Sequence, residues 1–207
     1  MRPVEHERTG NTRADRGSAE TRKALVAAAS ALFAEKGYEH TTVSDIVTRA
    51  GVAQGTFYLY FASKEKALRA VAEDLVDHVV AAAQAAVVTT SSPLERILVA
   101  TRVAFESFAH ERQLILAAVH ASGSEEHHRV MALEILPRFE KPLAEWIGEA
   151  QKKGEVAPEV EPSFQASFIV SASTRILIDS ALFGHPAPPE DVLPHLMSFI
   201  RRSLTGG

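Results

Sequence analysis

Apolar residues recur along the chain with helical spacing. Leu25, Ala28, Ala29, Leu32 and Phe33 fall at i, i+3, i+4, i+7 and i+8, one stripe of an amphipathic helix that begins near Ser18 and stops at Gly37. Thr42-x-x-Asp45 announces a second helix with a capping-box start, and Val43, Ile46, Val47 and Ala50 give it one buried side. Gly51 ends it after barely two turns, and a third short helix is predicted from about Ala53 to Phe61. Ser63 can cap a long fourth helix that starts KEKALRAVAEDL. Beyond the turn SSP at 91–93, helices are predicted near 94–109, 112–122, 125–153, 163–183 and 190–204, with Pro137 and Pro142 kinking or splitting the third of these five. No segment alternates with period two for long, so the fold class is all-α.

Residues 1–17 are polar, carry four arginines and lack periodicity, which predicts a flexible arm. Hydrophobic residues make up 46% of the 207 and charged ones 23%, enough to bury a sizeable core. No uninterrupted apolar run suits a membrane span, and no apolar stretch follows the charges of the N-terminus as a secretory signal requires, so the expected location is the cytoplasm. Zero cysteines exclude a disulfide framework and thiolate chemistry. Net charge is −4, against a surface that coats nucleic acid throughout. Its distribution is uneven: residues 1–61 carry 8 Lys+Arg against 7 Asp+Glu, a balance of +1, and residues 62–207 carry 14 against 19, a balance of −5. The near-neutral head can therefore still present a local basic face.

The segment AGVAQGTFYLYF at 50–61 crowds four aromatics onto about two turns. With Phe57 centred on the buried side and a step of about 100° per residue, Phe61 falls about 40° away and docks with it. Gly55 and Leu59 then lie on opposite sides of the outward line, with Thr56 and Tyr58 at the flanks and Gln54 at the N-terminal end. An outward glycine weakens a helix by about 1 kcal/mol relative to alanine, and close approach of another molecule to the backbone is one compensating reason. A helix entering a DNA major groove would use such a face: Gln54 can pair with adenine, Thr56 can bond a base or phosphate, and Leu59 can touch a thymine methyl. Tyr58 and Tyr60 could reach phosphates through their hydroxyls, and Lys64 adds charge at a helix start that already favours anions. The competing reading is a connecting helix whose aromatics only fill a core.

The stretch TTVSDIVTRAGVAQGTFYLYFASKEKAL, preceded by TRKALVAAASALFAEKGY, resembles the DNA-binding head of the TetR family of bacterial transcriptional regulators. The resemblance covers roughly residues 18–70. It implies a three-helix head at 18–65 with its helix-turn-helix at 42–61, joined by a long helix to a C-terminal ligand-binding and dimerisation domain at 66–207. Gln54, Gly55, Thr56, Tyr58, Leu59 and Tyr60 would face the operator, and Thr42 and Lys64 would hold phosphates. Two positions depart from the commoner pattern: Ala53 stands where a serine often caps the recognition helix, and Leu59 where a polar residue often reaches the DNA. The operator sequence therefore does not transfer from relatives.

Farther along, EAQKKGEVAPEVEPSFQASFIVSASTRILI resembles the turn and long interface helix that such regulators use late in the chain. Small residues there permit close helix approach. Phe164, Phe168 and Ser171, with Leu196 and Ile200 of the terminal helix, are candidates for a four-helix dimer interface, and a two-fold dimer implies a palindromic operator. Phe105, Phe108, Trp146, Phe168 and Arg175 are candidates for a partly apolar effector pocket with one cation, although core packing is the better account of each and Arg175 can pair with Asp179. His110, His120, His127 and His128 cluster in sequence but lack metal-ligand spacing, and no G-x-S-x-G elbow is present. No metal, cofactor or catalytic group is expected. The resulting expectation is a ligand-responsive, dimeric DNA-binding regulator, a repressor released by its effector; the alternatives are a helical protein-interaction module and a small all-α enzyme.

Overall fold

The computed structural model describes residues 11–121, 134–184 and 188–206. Among them are nine helices and no strand. They are α1 (Asn11–Lys36), α2 (Val43–Ala50), α3 (Gln54–Tyr60), α4 (Lys64–Val87), α5 (Pro93–Ala109), α6 (Arg112–Ala121), α7 (Pro137–Lys152), α8 (Pro162–Phe183) and α9 (Pro189–Thr205). Contacts divide the chain into two compact units, one ending at Val71 and the other beginning at Ala72, so the division falls inside α4.

Two sequence expectations change. Helix α1 begins at Asn11, so residues 11–17 of the predicted flexible arm are helical, while residues 1–10 lie outside the described residues. Extending an existing helix needs no new nucleus, and the Thr21 hydroxyl adds a 2.8 Å bond to the Gly17 carbonyl. Of the helix predicted over 125–153, residues 125–133 lie outside the described residues, and α7 starts afresh at Pro137, the split expected there, because the first helical position needs no N–H donor. The helix then continues through Pro142.

In the first unit α1 packs on α2 and α2 on α3. The predicted stripe is the buried one: Leu25, Ala29 and Phe33 of α1 are fully buried, as are Ile46 of α2 and Phe57 of α3. Thr41 is buried too, its hydroxyl donating to the Gly37 carbonyl at 2.8 Å.

The second unit is built on α5, α7, α8 and α9, with α6 against α8. Ile97, Ile147, Ala150, Ala166 and Leu204 form the driest part of its core. The start of α5 is capped twice: Ser92 accepts the Glu95 N–H, and the Glu155 carboxylate accepts the Ser92 hydroxyl at 2.7 Å and the Leu94 N–H at 3.1 Å. Those bonds hold the Glu155 carboxyl below the usual carboxylate range. Helix α8 is long and apolar enough by length and composition to cross a membrane, yet Ala166, Ile169, Val170 and Leu177 bury one side of it in this core. Truncation of fully buried Ile147 to alanine should cost about 2–5 kcal/mol of stability, read as a lower urea midpoint with an unchanged slope.

Candidate nucleic-acid interface

The turn between α2 and α3 starts from a complete capping box. The Thr42 hydroxyl oxygen accepts the Asp45 N–H at 3.1 Å, and the Asp45 carboxylate accepts the Thr42 N–H at 2.8 Å. The same carboxylate takes Lys36 Nζ at 2.7 Å and the Thr42 hydroxyl at 2.6 Å. Lys36 first, then Thr42, hold the Asp45 carboxyl far below the usual carboxylate range. At the other end of α2, Arg49 grips Glu35 with a bidentate pair at 2.6 and 2.7 Å, which lowers the Glu35 carboxyl. Two ion pairs thus tie the end of α1 to both ends of α2.

Gly51 closes α2 at φ 69°, the left-handed conformation that an amino acid with a side chain rarely adopts. The chain then enters α3 through Ala53, which has no side-chain cap, and only the Thr56 N–H to Ala53 carbonyl bond of 2.9 Å shapes the entry. Phe57 is fully buried and Phe61 is 4% exposed, their ring centroids 5.6 Å apart, as the helical-wheel argument anticipates. On the other side Leu59 is 82% exposed and Tyr58 56%, beside exposed Gln54 and Gly55 and half-buried Thr56. No atom comes within 4 Å of a Cβ built on Gly55, so the outer backbone of α3 is open.

Three of the residues linked to operator contact have internal partners. The Tyr60 hydroxyl lies 3.3 Å from Ser18 Oγ on α1. The Thr42 hydroxyl is occupied within the capping box. Lys64 Nζ donates to the carbonyls of Tyr38 at 2.8 Å and Thr41 at 3.0 Å, and sits 4.2 Å from the Tyr38 ring centroid. Two of its three N–H donors therefore bind the α1–α2 connection. Sequence reasoning did not single out Ser18 and Arg22, four residues apart on α1. The Arg22 guanidinium lies 5.5 Å from the Phe61 centroid, so this face braces the end of α3. The usable signal is their register with buried Leu25 and Ala29.

In the second unit the pocket candidates do not converge. Phe105 is 2% exposed in the core, Phe108 meets Phe139 edge-on with centroids 5.8 Å apart, and Trp146 packs half-buried against the same core. Phe168 is 52% exposed, and the Arg175 side chain, 75% exposed, pairs with Asp179 at 2.6 Å. None of them lines the cavity of about 260 Å³ that opens among Ala109, Arg112, Ile115, Leu177, Ser180 and Pro189. The interface set also needs correction. Leu196 and Ile200 are 6% and 2% exposed because they fill the subunit's own core. Phe164, Phe168 and Ser171 form an exposed stripe on α8, and the exposed aromatic of α9 is Phe199. His127 and His128 lie outside the described residues; His110 Nδ1 lies 2.6 Å from the Glu106 carbonyl, and the described residues hold no cluster of three metal-ligating side chains.

Comparison with known proteins places this geometry in context. Residues 25–71 match the family described as bacterial regulatory proteins, tetR family. The HTH-type transcriptional regulator YvdT of Bacillus subtilis (strain 168) is 50% identical over 54 residues, 26% of this chain and 28% of that protein. The A-factor receptor protein of Streptomyces griseus is 27% identical over 168 residues, 78% of this chain and 55% of its own. The chain thus spans about half or less of the length of these curated relatives. The solved fatty acid degradation regulator FadR from Bacillus halodurans superposes with a TM-score of 0.72 at 21% identity, covering 87% of this chain and 94% of that one, a likeness of fold.

The two glycines of the motif should respond oppositely to alanine. Gly51→Ala should destabilise the protein by about 1–2 kcal/mol through its left-handed backbone. Gly55→Ala, helical and unobstructed, should stabilise it by about 0.5–1 kcal/mol, both read from urea denaturation.

Proposed function

Because the chain belongs to the TetR family of bacterial transcriptional regulators, we propose that it is a cytoplasmic, dimeric repressor that reads a palindromic operator and is released by a small-molecule effector. The observation that carries the reading is the outward face of α3. Gln54, Gly55, Thr56, Tyr58 and Leu59 stand exposed or half-exposed on a helix anchored from behind by Phe57 and Phe61. An open backbone at Gly55 suits close approach to DNA, Gln54 offers an amide for a base edge, and an exposed Leu59 is an apolar tip for a thymine methyl. Thr42, Tyr60 and Lys64 act mainly in holding the head together, with phosphate contact secondary.

The exposed stripe of Phe164, Phe168 and Ser171 on α8 and Phe199 on α9 supports dimerisation. Phe164 is 65% exposed and Phe199 56%, apolar area that a second copy in a four-helix arrangement would cover. The effector site we assign to the cavity beside Arg112 and Ser180, whose mostly apolar lining fits a partly apolar ligand. The name of the Streptomyces griseus relative, a receptor, supports a ligand-receiving role. By linkage, an effector that favours the form unable to bind operator must itself be bound less well by the operator-bound form.

Selection of bound duplexes from a random pool, repeated at two salt concentrations, should enrich a palindrome whose binding weakens steeply with salt. Salt-insensitive binding without enrichment would instead favour an interaction module. Phe168→Asp, placing a charge in the apolar stripe, should shift the protein to monomer in sedimentation without lowering its monomer helicity, and should abolish enrichment of the palindrome.

A further inference from the structure

A DNA reader needs cations against phosphates, and α3 has none: Gln54–Tyr60 contains no charged residue. The other cations of the first unit are largely occupied. Lys36 pairs with Asp45, Arg49 with Glu35, and Lys64 binds two carbonyls. Lys66 and Arg69 each make a contact of their own. Arg16, Arg22 and Lys23 differ: all three are exposed on α1, and no carboxylate pairs with them among the described residues.

We propose that Arg16, Arg22 and Lys23, in the N-terminal half of α1, form the cationic flank of the recognition helix and grip the phosphates of duplex DNA. The inference rests on the DNA-reading assignment above and adds to it the residues that supply charge. Their placement follows from two contacts. Tyr60 reaches Ser18 with its hydroxyl at 3.3 Å, and the Arg22 guanidinium lies 5.5 Å from the Phe61 centroid. Ser18 and Arg22 are one turn apart, so the start of α1 is fastened to the end of α3 at two points. A guanidinium packed against a ring keeps its in-plane N–H donors for a bidentate phosphate contact. Arg16 and Lys23, two turns apart, share a neighbouring face. Against them stands Glu20 alone, so residues 16–23 carry three positive charges and one negative, a balance of +2. Lys36 and Arg49 are neutralised by Asp45 and Glu35, so this segment holds a positive excess to which no carboxylate is paired among the described residues.

The test uses the full chain and a random-sequence duplex of about 30 base pairs, since non-specific binding reports phosphate contacts without needing the operator. Arg16→Gln, Lys23→Gln and their combination, together with Arg22→Gln and Arg22→Lys, are titrated across salt concentration. Each phosphate contact removed should lower the log–log salt slope by about 0.9 per head, and Arg22→Lys should keep the slope that Arg22→Gln loses. Lys153→Gln, exposed in the second unit, should leave the slope unchanged. Arg16 and Lys23 carry no packing load, so their variants should melt as the wild type does and report on DNA alone. Wild-type slopes in the Arg16/Lys23 double variant and in Arg22→Gln would overturn the proposal while leaving the DNA reading intact. A wild-type chain that binds no duplex at all would overturn both.

Discussion

The recognition helix exists only because two phenylalanines are buried. Helix α3 has seven residues, lacks a side-chain cap and carries a glycine at its second position, which together would leave it unfolded in isolation. Burial of Phe57 and Phe61 supplies what local propensity withholds, about 1.5–3 kcal/mol for each side chain taken out of water. Everything the head presents outward is therefore positioned by what it hides. The turn at Gly51, the capping box at Thr42 and the Lys64 bridge to Tyr38 and Thr41 all fix the frame into which those two rings pack.

This dependence explains why the head was so legible in the sequence. A short helix with a polar outer face leaves a narrow choice of register, and aromatics at positions 57 and 61 allow one in which both are inside. The capping box and the helix stop at Gly51 were readable for the same reason, since each is a local solution to unsatisfied backbone groups. What stayed hidden was longer in range. That Tyr60 meets Ser18, that Arg22 covers Phe61, and that Lys64 turns inward to carbonyls more than twenty residues earlier depend on how α1 lies across the others. Periodicity along one helix carries no information about its neighbours' side chains.

The second unit shows the same limit in another form. On α9, Leu196 and Ile200 face the core, while Phe199, one residue from Ile200, is exposed. A single step along a helix turns the side chain by about 100°, so an apolar segment with leucine, isoleucine and phenylalanine in close succession admits more than one buried face. Helix α8 is the extreme case, apolar nearly all round, with Phe164 and Phe168 left outside although Ile169 and Val170 are inside. Which aromatic is core and which is surface depends on the partners α5, α7 and α9 within the unit, and the two phenylalanines lie outside the face those partners cover.

Charge pairing within the head has a consequence for control. Lys36, Arg49 and Lys64 contribute to its rigidity, and each internal bond removes a cation from competition for phosphate. A head held so firmly presents one fixed geometry, and on the proposed function its phosphate contacts would be confined to few residues. On the proposed function one head alone would bind DNA weakly, and useful affinity would require two heads engaging together, where the second contact gains from the proximity created by the first. Binding by such a pair fails when the spacing between heads is wrong, even with each head unchanged. A rigid reader of modest individual affinity is thus the form of head most easily governed from a second domain, because the controlling domain need only alter spacing and never has to unfold or block the reading surface.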